Sequence, residues 1–501
     1  MQLWIGLHLS HLPLEVFHAN WSSESVAVVL DQEKVLGASR TARAAGIKPG
    51  MRRGGVLMLE PDAHIHDRSP QKEAEALQAV AMAMFQYTPE VAAAEESTLL
   101  LSVGPSLTLF SVGPSLTLFS GIHALCRRIR GDLRALGFTG RVSCAPTARG
   151  AWLLARCGGG RVVKHQTMVR HLDNLPALAI PAARPFGGWF EGLGCETIAQ
   201  LRRLPRPGLQ QRCGRQLLDT IDSAMGSAPE LFQWIEPPTT FEAKVELFDW
   251  VENAELLLAG AQSLILQLVG WLSGQQLAVE CVTLRLEHER GRQKIPATPI
   301  DIAFGAPVWE ADHVVRLMKE RLAKTELSNF VIALGLEATQ LRPREVPSLG
   351  LFPEPGGNEE DQIRTIELLI SRLGADAVKH SKPIADYRPE VANAWVSVQE
   401  NLREASVAAQ LPPNLDSTMR PTWLLAKPIA LLIRSNRPWY GSALRIVAGP
   451  ERVEAGWWNE GKSRDYYIAE DEAGSLMWIY LERLSSTEDG ERRYFLQGLF
   501  G

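Results

Sequence analysis

The chain has no Cys-x-x-Cys pair. Its six cysteines, at 126, 144, 157, 195, 213 and 281, are scattered through 501 residues. That spacing excludes a zinc ribbon or finger and argues against a disulfide frame, so reduced thiols are expected. No apolar run is expected to reach membrane-spanning length. The first residues lack a basic stretch followed by an apolar core and a cleavage site, so no secretory leader is expected. A large charge imbalance is missing too. The net charge is −5, from 52 Lys+Arg and 57 Asp+Glu, and such a balance does not announce a nucleic-acid binder. These absences predict a cytoplasmic protein with no metal site, no cofactor and no membrane partner.

What is present is a globular composition, 46% hydrophobic and 22% charged. A chain this long exceeds one core, so roughly three or four domains are expected. Charge is unevenly spread: residues 127–215 hold 16 Lys/Arg against 4 Asp/Glu. A basic segment in an acidic chain reads as a footprint for phosphates or as a solvated helix surface.

The order of elements predicts an α+β multidomain chain. Residues 2–9 read as a strand, 10–17 as a turn into a short helix with Pro13 near its start, and 26–30 with 34–38 as paired strands. Ser69-Pro70 opens a helix over 71–87. Residues 90–101 read as one buried strand carrying Glu95 and Glu96. On a strand only one of the two can face a shared site. Helices are expected over 121–136 and 147–156 around a strand at 141–145. Residues 176–236 read as helical, with a hairpin at Leu193-Gly194-Cys195. A small α/β sandwich follows over 240–341, then a Pro/Gly-rich connector, a helix over 363–373, a patternless stretch over 381–420, and a β-rich end. The nine residues 102–110 recur as 111–119. An odd-length insertion inside a strand would flip every later side chain, so one copy is expected to loop out.

Several stretches together resemble the Y-family translesion DNA polymerases. Glu90-Val-Ala-Ala-Ala-Glu95-Glu96 is similar to the palm strand that carries an Asp-Glu pair there. The segment from Ala38 to Ile47 resembles the fingers motif whose Tyr and Arg contact the incoming triphosphate; Arg43 is kept and Arg40 stands at the Tyr position. Ala145-Pro-Thr-Ala148 falls where that family has Ser-x-Asn-Lys. The departures are in the chemistry. Gly6 stands where the resemblance expects the first metal-binding Asp, His8 at the second acidic position, His11 near the ribose-checking aromatic, and Ala148 at the lysine. Magnesium needs several hard oxygen ligands, and one carboxylate pair offers too few.

An emptied Y-family frame resembles the ImuB-type, non-catalytic branch. The tail agrees, with Arg420-Pro-Thr-Trp423, Arg437-Pro-Trp-Tyr440, Gly456-Trp-Trp458 and Arg464-Asp-Tyr-Tyr467. The resemblance implies palm and fingers over 1–175, a helical thumb over 176–236, a little finger over 240–341, a linker with a clamp-binding motif over 343–362, a connector over 363–419 and a partner-docking module over 420–501. It implies a nucleoid-associated adaptor in SOS-induced mutagenic translesion synthesis. The implied partners are DNA, the sliding clamp, an error-prone replicative-type polymerase and an ImuA/RecA-like protein. Candidate DNA contacts are Arg202, Arg203, Arg206, Arg212 and Arg215. The clamp candidate is Ser348-Leu349-Gly350-Leu351-Phe352, and the docking candidates are Trp423, Trp439, Trp457, Trp458 and Trp478. One alternative is a weak polymerase using Glu95 and Glu96 with a third ligand, Glu15 or Asp31. Another is a structural factor that does not touch DNA.

Overall fold

Strand β1 (Trp4–Leu9) reads Trp-Ile-Gly-Leu-His-Leu, and its two faces differ. Ile5, Leu7 and Leu9 share one face and are buried with helices α4 (Pro70–Met84) and α5 (Ile122–Ala135). Trp4, Gly6 and His8 share the other, which helix α6 (Ala148–Cys157) covers over Trp4 and Gly6. With β5 (Val91–Ala94), β6 (Thr98–Ser102) and β7 (Gly140–Ala145), β1 forms an antiparallel sheet in the order β5-β6-β1-β7. This computed structural model describes residues 3–20, 25–103, 121–251, 254–288, 296–325, 329–344, 359–384, 386–398, 420–455, 462–483 and 493–500. The second half of the nine-residue duplication lies outside them, as does most of the first.

Local signals set these elements. Ser69 caps α4 by accepting the Lys72 amide at 3.4 Å, and Pro70 is its first residue. Thr147 caps α6 by accepting the Gly150 amide at 3.1 Å, and Gly158 ends it at φ +75°. One expectation needs correcting. Residues 90–101 are not one strand but the hairpin β5–β6, with Glu95, Glu96 and Ser97 as its turn. The apolar residues on both sides hid the reversal, because no Gly or Asn marks it.

Around this sheet stand two further cores. Helix α1 (Leu12–Glu15) leads to a three-stranded sheet, β3-β2-β4, built from β2 (Ala27–Asp31), β3 (Lys34–Ala38) and β4 (His64–Asp67). It packs with α2 (Arg40–Ala44) and α3 (Arg53–Leu59). Helices α7 (His165–Asp173), α8 (Gly187–Gly192), α9 (Ile198–Arg203), α10 (Arg206–Cys213) and α11 (Arg215–Met225) gather against the outer side of α6.

A third core joins β8 (Glu242–Val251), β9 (Leu277–His288), β10 (Thr298–Val308) and β11 (Val331–Pro343) in the order β10-β9-β11-β8. Helices α12 (Ala254–Gln275) and α13 (Ala311–Lys324) cover one face. Strand β10 escapes a sequence reading because Pro299, Gly305 and Pro307 break its pattern; as an edge strand it tolerates them. The expectation of no spanning-length apolar run also needs correcting. Within Glu255–Gln275 an 18-residue window reaches a mean hydropathy of 1.6, and burial in this core accounts for that composition. Helix α12 crosses α4 so closely at Gly270 that a Cβ there would collide with the Met82 carbonyl oxygen.

Contacts divide the chain into two units, Met1–Pro353 and Glu354–Gly501. The second holds α14 (Glu359–Leu373), a hairpin of β12 (Lys379–Pro383) and β13 (Asn393–Ser397), and strands β14 (Trp423–Ala430) to β21 (Arg493–Leu499). Five of these, in the order β14-β21-β20-β19-β18, form an antiparallel sheet with β18 (Arg445–Ala455), β19 (Lys462–Glu470) and β20 (Leu476–Glu482). The hairpin falls in the stretch read as patternless. Its loop belongs to the module. Glu390 accepts from the buried Arg464 at 3.0 Å and from Gln497 at 3.0 Å, so a boundary at 420 cuts through a hydrogen-bonded network.

Glu15, at the end of α1, is buried and accepts the Thr139 amide at 2.8 Å. Burial pushes its carboxyl up to about 7, which that hydrogen bond only partly offsets. The folded form therefore holds a proton that the unfolded chain releases near its ordinary value. Stability from this group is full below about pH 4.5 and falls as pH rises towards 7. Urea melts at pH 5 and pH 8 should show the native protein losing about 2–3 kcal/mol more than Glu15→Gln. Equal losses would assign the slope to other groups, such as Asp132, whose carboxyl burial raises to about 6.

Candidate functional site

The β5–β6 turn is the chemical centre of the first sheet. Glu96 and Ser97 hold φ of 57° and 52°, a left-handed conformation unusual for non-glycine residues. Hydrogen bonds from three elements hold it there. The Glu96 carbonyl accepts from Thr98 Oγ1 at 3.0 Å and lies 3.0 Å from His8 Nδ1. The Ser97 carbonyl accepts the Leu9 amide at 3.0 Å. The Trp152 indole on α6 donates to the Glu95 carbonyl at 3.0 Å.

Two guanidiniums clasp the Glu96 carboxylate. Arg184 donates to Oε1 at 2.5 Å and Oε2 at 3.2 Å, and Arg156 pairs with Oε2. The Arg156 side chain is only 8% exposed. It also donates to the Ala179 carbonyl at 2.7 Å and lies over the Trp152 ring at 4.5 Å. Burial lowers the Arg156 pKa, and the Glu96 charge opposes that. Glu95 faces Arg149 at 3.8 Å, while Arg149 Nη1 makes no hydrogen bond.

Of the first-strand candidates, only His8 reaches this turn. His8 lies opposite Thr98, whereas Gly6 lies opposite Leu100, about 7 Å farther along the strand. Gly6, read as standing at the first acidic position, thus lies away from the carboxylates, and His8 lies beside them. Gly6 has another cause. Helix α6 passes so close that a Cβ would sit 2.5 Å from the Ala151 carbonyl oxygen, which Ser143 Oγ already bonds at 2.7 Å. Burial first, then Arg156, holds the His8 imidazole below its ordinary value.

Ala148, at the start of α6, is buried. Its amide and that of Arg149 donate to Glu230 at 2.9 and 2.7 Å. The positive helix end, where the resemblance places a lysine, is thus occupied by the chain's own carboxylate. Nothing near Glu230 in sequence marks this partnership across more than 80 residues. The proposed third ligands stay away from the turn: Glu15 bonds Thr139, and Asp31 pairs with Arg68 at 3.3 Å.

These residues do not fit a magnesium site. Both Glu96 oxygens answer guanidiniums, His8 is engaged by the Glu96 carbonyl, and magnesium requires a near-octahedral set of oxygens. Among the described residues no group of three or more His, Cys, Asp or Glu converges as a metal cage.

The five candidate DNA-contacting arginines differ in their freedom. Arg202 pairs with Asp173 at 2.6 Å, Arg206 with Asp222 at 2.5 Å and Arg215 with Asp219 at 3.5 Å. Arg212 lies over the Trp189 ring at 5.0 Å, and Arg203 is exposed. The open face of the β8–β11 sheet is not basic. Lys244 and Arg285 there pair with Glu287 and Glu337, and Glu242, Glu246 and Asp301 share that face. The cations on this face of the sheet are thus answered by its own carboxylates.

Ser348 to Phe352, and Trp457 and Trp458, lie outside the described residues. Leu496-Gln-Gly-Leu-Phe500, whose sequence is similar to that at 348–352, runs through β21, where Leu496 is buried. Trp478 is 1% exposed and stacks on Tyr466 at 4.2 Å, so core packing accounts for it and its assignment to docking is corrected. Trp423 is 68% exposed and Trp439 half-buried.

The model of the impB/mucB/samB family matches residues 14–156. The chain carries an impB/mucB/samB family domain. Protein ImuB of Caulobacter vibrioides, in each of two strains, is 24% identical over 480 residues, covering 91% of this chain and 100% of the relative. Among solved structures, a Dbh ternary complex with substrates partially disordered aligns at 14% identity. Its TM-score is 0.35, over 68% of this chain and 99% of that one.

The clasp makes Glu96 a stability residue. Glu96→Gln leaves the buried Arg156 without a full counter-charge and should cost roughly 1–3 kcal/mol in urea melts. Glu95→Gln, at an exposed 3.8 Å pair, should cost under about 0.5 kcal/mol. Equal effects would show that the clasp does not hold the turn.

Proposed function

We propose that this protein is a non-catalytic, Y-family polymerase-like adaptor in mutagenic translesion DNA synthesis. It is induced by DNA damage and works at the nucleoid. In this reading it binds DNA and the sliding clamp, and brings in an error-prone replicative-type polymerase and an ImuA/RecA-like protein. The observation that carries the reading is the Glu96 clasp. Phosphoryl transfer by a polymerase needs carboxylates free to hold two metals about 4 Å apart. Here the best-placed carboxylate is bound by two arginines, and a histidine stands beside it. The similarity to ImuB over most of the chain supports the same role.

The remaining functions follow by residue. Arg203 and Arg212, which lack carboxylate partners among the described residues, are the better phosphate contacts of the five. Leu351 and Phe352 are the anchors for a clamp pocket, as paired apolar side chains in short linear motifs are. Trp423, which is exposed, and Trp439, which is half-buried under Arg434, are the described candidates left for a protein partner.

Primer extension by the purified full chain, with magnesium or manganese and with or without clamp, should give no product. Extension that disappears in Glu95→Gln/Glu96→Gln would restore the polymerase reading. In the same preparation, Leu351→Ala/Phe352→Ala should weaken clamp binding at least about tenfold, as loss of two anchors does. Unchanged binding would move the motif elsewhere.

A further inference from the structure

In the second unit, residues 420–450 hold five Lys/Arg and no Asp or Glu. Two of the five are answered from outside that stretch. Arg420 donates to Glu451 at 2.9 Å, and Arg445 pairs with Glu470. Elsewhere in the unit Arg388, Arg452, Arg464 and Arg483 also meet carboxylates. Lys427, Arg434 and Arg437 differ. They are exposed, and none has a carboxylate within ion-pair distance among the described residues.

Arg434 and Arg437 belong to one hairpin. Strand β15 (Leu432–Arg434) turns through Ser435 and Asn436 into β16 (Arg437–Tyr440), and β17 (Ser442–Ala443) completes a three-stranded sheet. Both turn residues are left-handed, at φ 50° and 62°, as a two-residue hairpin turn requires. The register sets Arg434 opposite Arg437 and Leu432 opposite Trp439. Opposite residues share a face, with Cβ atoms about 5 Å apart, and alternate pairs return to it, so these four side chains project together. Like charges placed directly opposite are destabilising on their own. The Arg434 guanidinium lies over the Trp439 ring at 4.9 Å, and Leu432 on the same face is 61% exposed. Glu472, whose amide donates to Ser442 Oγ at 3.4 Å, forms no ion pair with either arginine.

We propose that the β15–β16 hairpin binds single-stranded DNA. Arg437 and the N–H edge of Arg434 hold phosphates, and the Arg434–Trp439 stack with Leu432 forms a platform for a base. A guanidinium lying flat on a ring keeps its donors free for an anion, and its plane accepts a stacked base. Two facing arginines without carboxylates call for a polyanion, and a nucleic-acid strand supplies phosphates in series. A single strand also offers the base faces that a duplex hides. An acidic protein segment would answer the charge and leave the platform without a use. The inference goes beyond the reading above, whose DNA contacts lie in the first unit, and it gives Trp439, one of the two docking candidates, a different occupant.

The test is fluorescence anisotropy of the full chain on a short labelled oligo(dT), and on a duplex of the same length, across a salt series. Arg434→Gln/Arg437→Gln should weaken oligo(dT) binding about tenfold or more and flatten the log–log salt slope by about 1.4, which is about 0.7 for each lost single-strand contact. Trp439→Leu should weaken it about fivefold or more while leaving the slope and the duplex affinity unchanged. A thermal melt confirms the fold of each variant. Hairpin variants that bind oligo(dT) as the native chain does, with the same slope, overturn the inference. In that case a loss of DNA binding in Arg203→Gln/Arg212→Gln leaves the earlier reading standing. Hairpin variants that lose oligo(dT) while Arg203→Gln/Arg212→Gln binds DNA as before uphold the inference and overturn the earlier contacts. Equal loss on single strand and duplex in Trp439→Leu overturns the stacking platform and with it the inference. So does displacement of oligo(dT) by poly-glutamate at matched charge, which assigns the face to an acidic protein. Native protein that binds DNA in neither form overturns both readings.

Discussion

The buried guanidinium of Arg156 must have a counter-charge, and Glu96 supplies it. Leaving that charge without its full partner costs roughly 1–3 kcal/mol, enough to offset the strain of a left-handed turn residue. The constraint orders its surroundings. It fixes a left-handed Glu96 and Ser97 at the hairpin tip, brings the 181–186 segment against the sheet through Arg184, and seats Trp152 beneath both arginines of α6. A pair of carboxylates that would serve chemistry elsewhere here works as a fastening.

Two further contacts close this end of the molecule. Helix α6 lies against Gly6 with no room for a side chain, and its N-terminal amides are filled by Glu230. The connector that carries Glu230 continues across the sheet. Phe232 and Trp234 pack on Trp4, and the Ile235 amide donates to the Val91 carbonyl at 2.8 Å. Clasp, helix approach and connector thus close one region together, and changing any single residue leaves the other two in place.

Much of the fold is legible in the sequence because its signals are local. Ser69-Pro70, Thr147 and Gly158 mark helix ends within a turn of where they act. Alternation at Ile5, Leu7 and Leu9 marks a sheet strand covered by helices. What escaped depends on partners distant in the chain. Period-two alternation puts Gly6 and His8 on one face without saying which stands beside the carboxylates; only the pairing of His8 with Thr98 decides. Arg156 and Arg184 are ordinary helix and loop residues until the turn arrives between them. Strand β10 carries two prolines, and the turn at 95–97 carries no Gly or Asn, so propensity argues against both.

Gly270 has a consequence for geometry at long range. It sits within the 22 residues of α12, which at 1.5 Å per residue is roughly 33 Å long. That helix is the spine of the β8–β11 domain, and its one backbone-to-backbone seam with α4 acts as a fulcrum. An ångström of separation at the fulcrum is magnified along the arm, so the attitude of a whole sheet is governed by the absence of one methyl group.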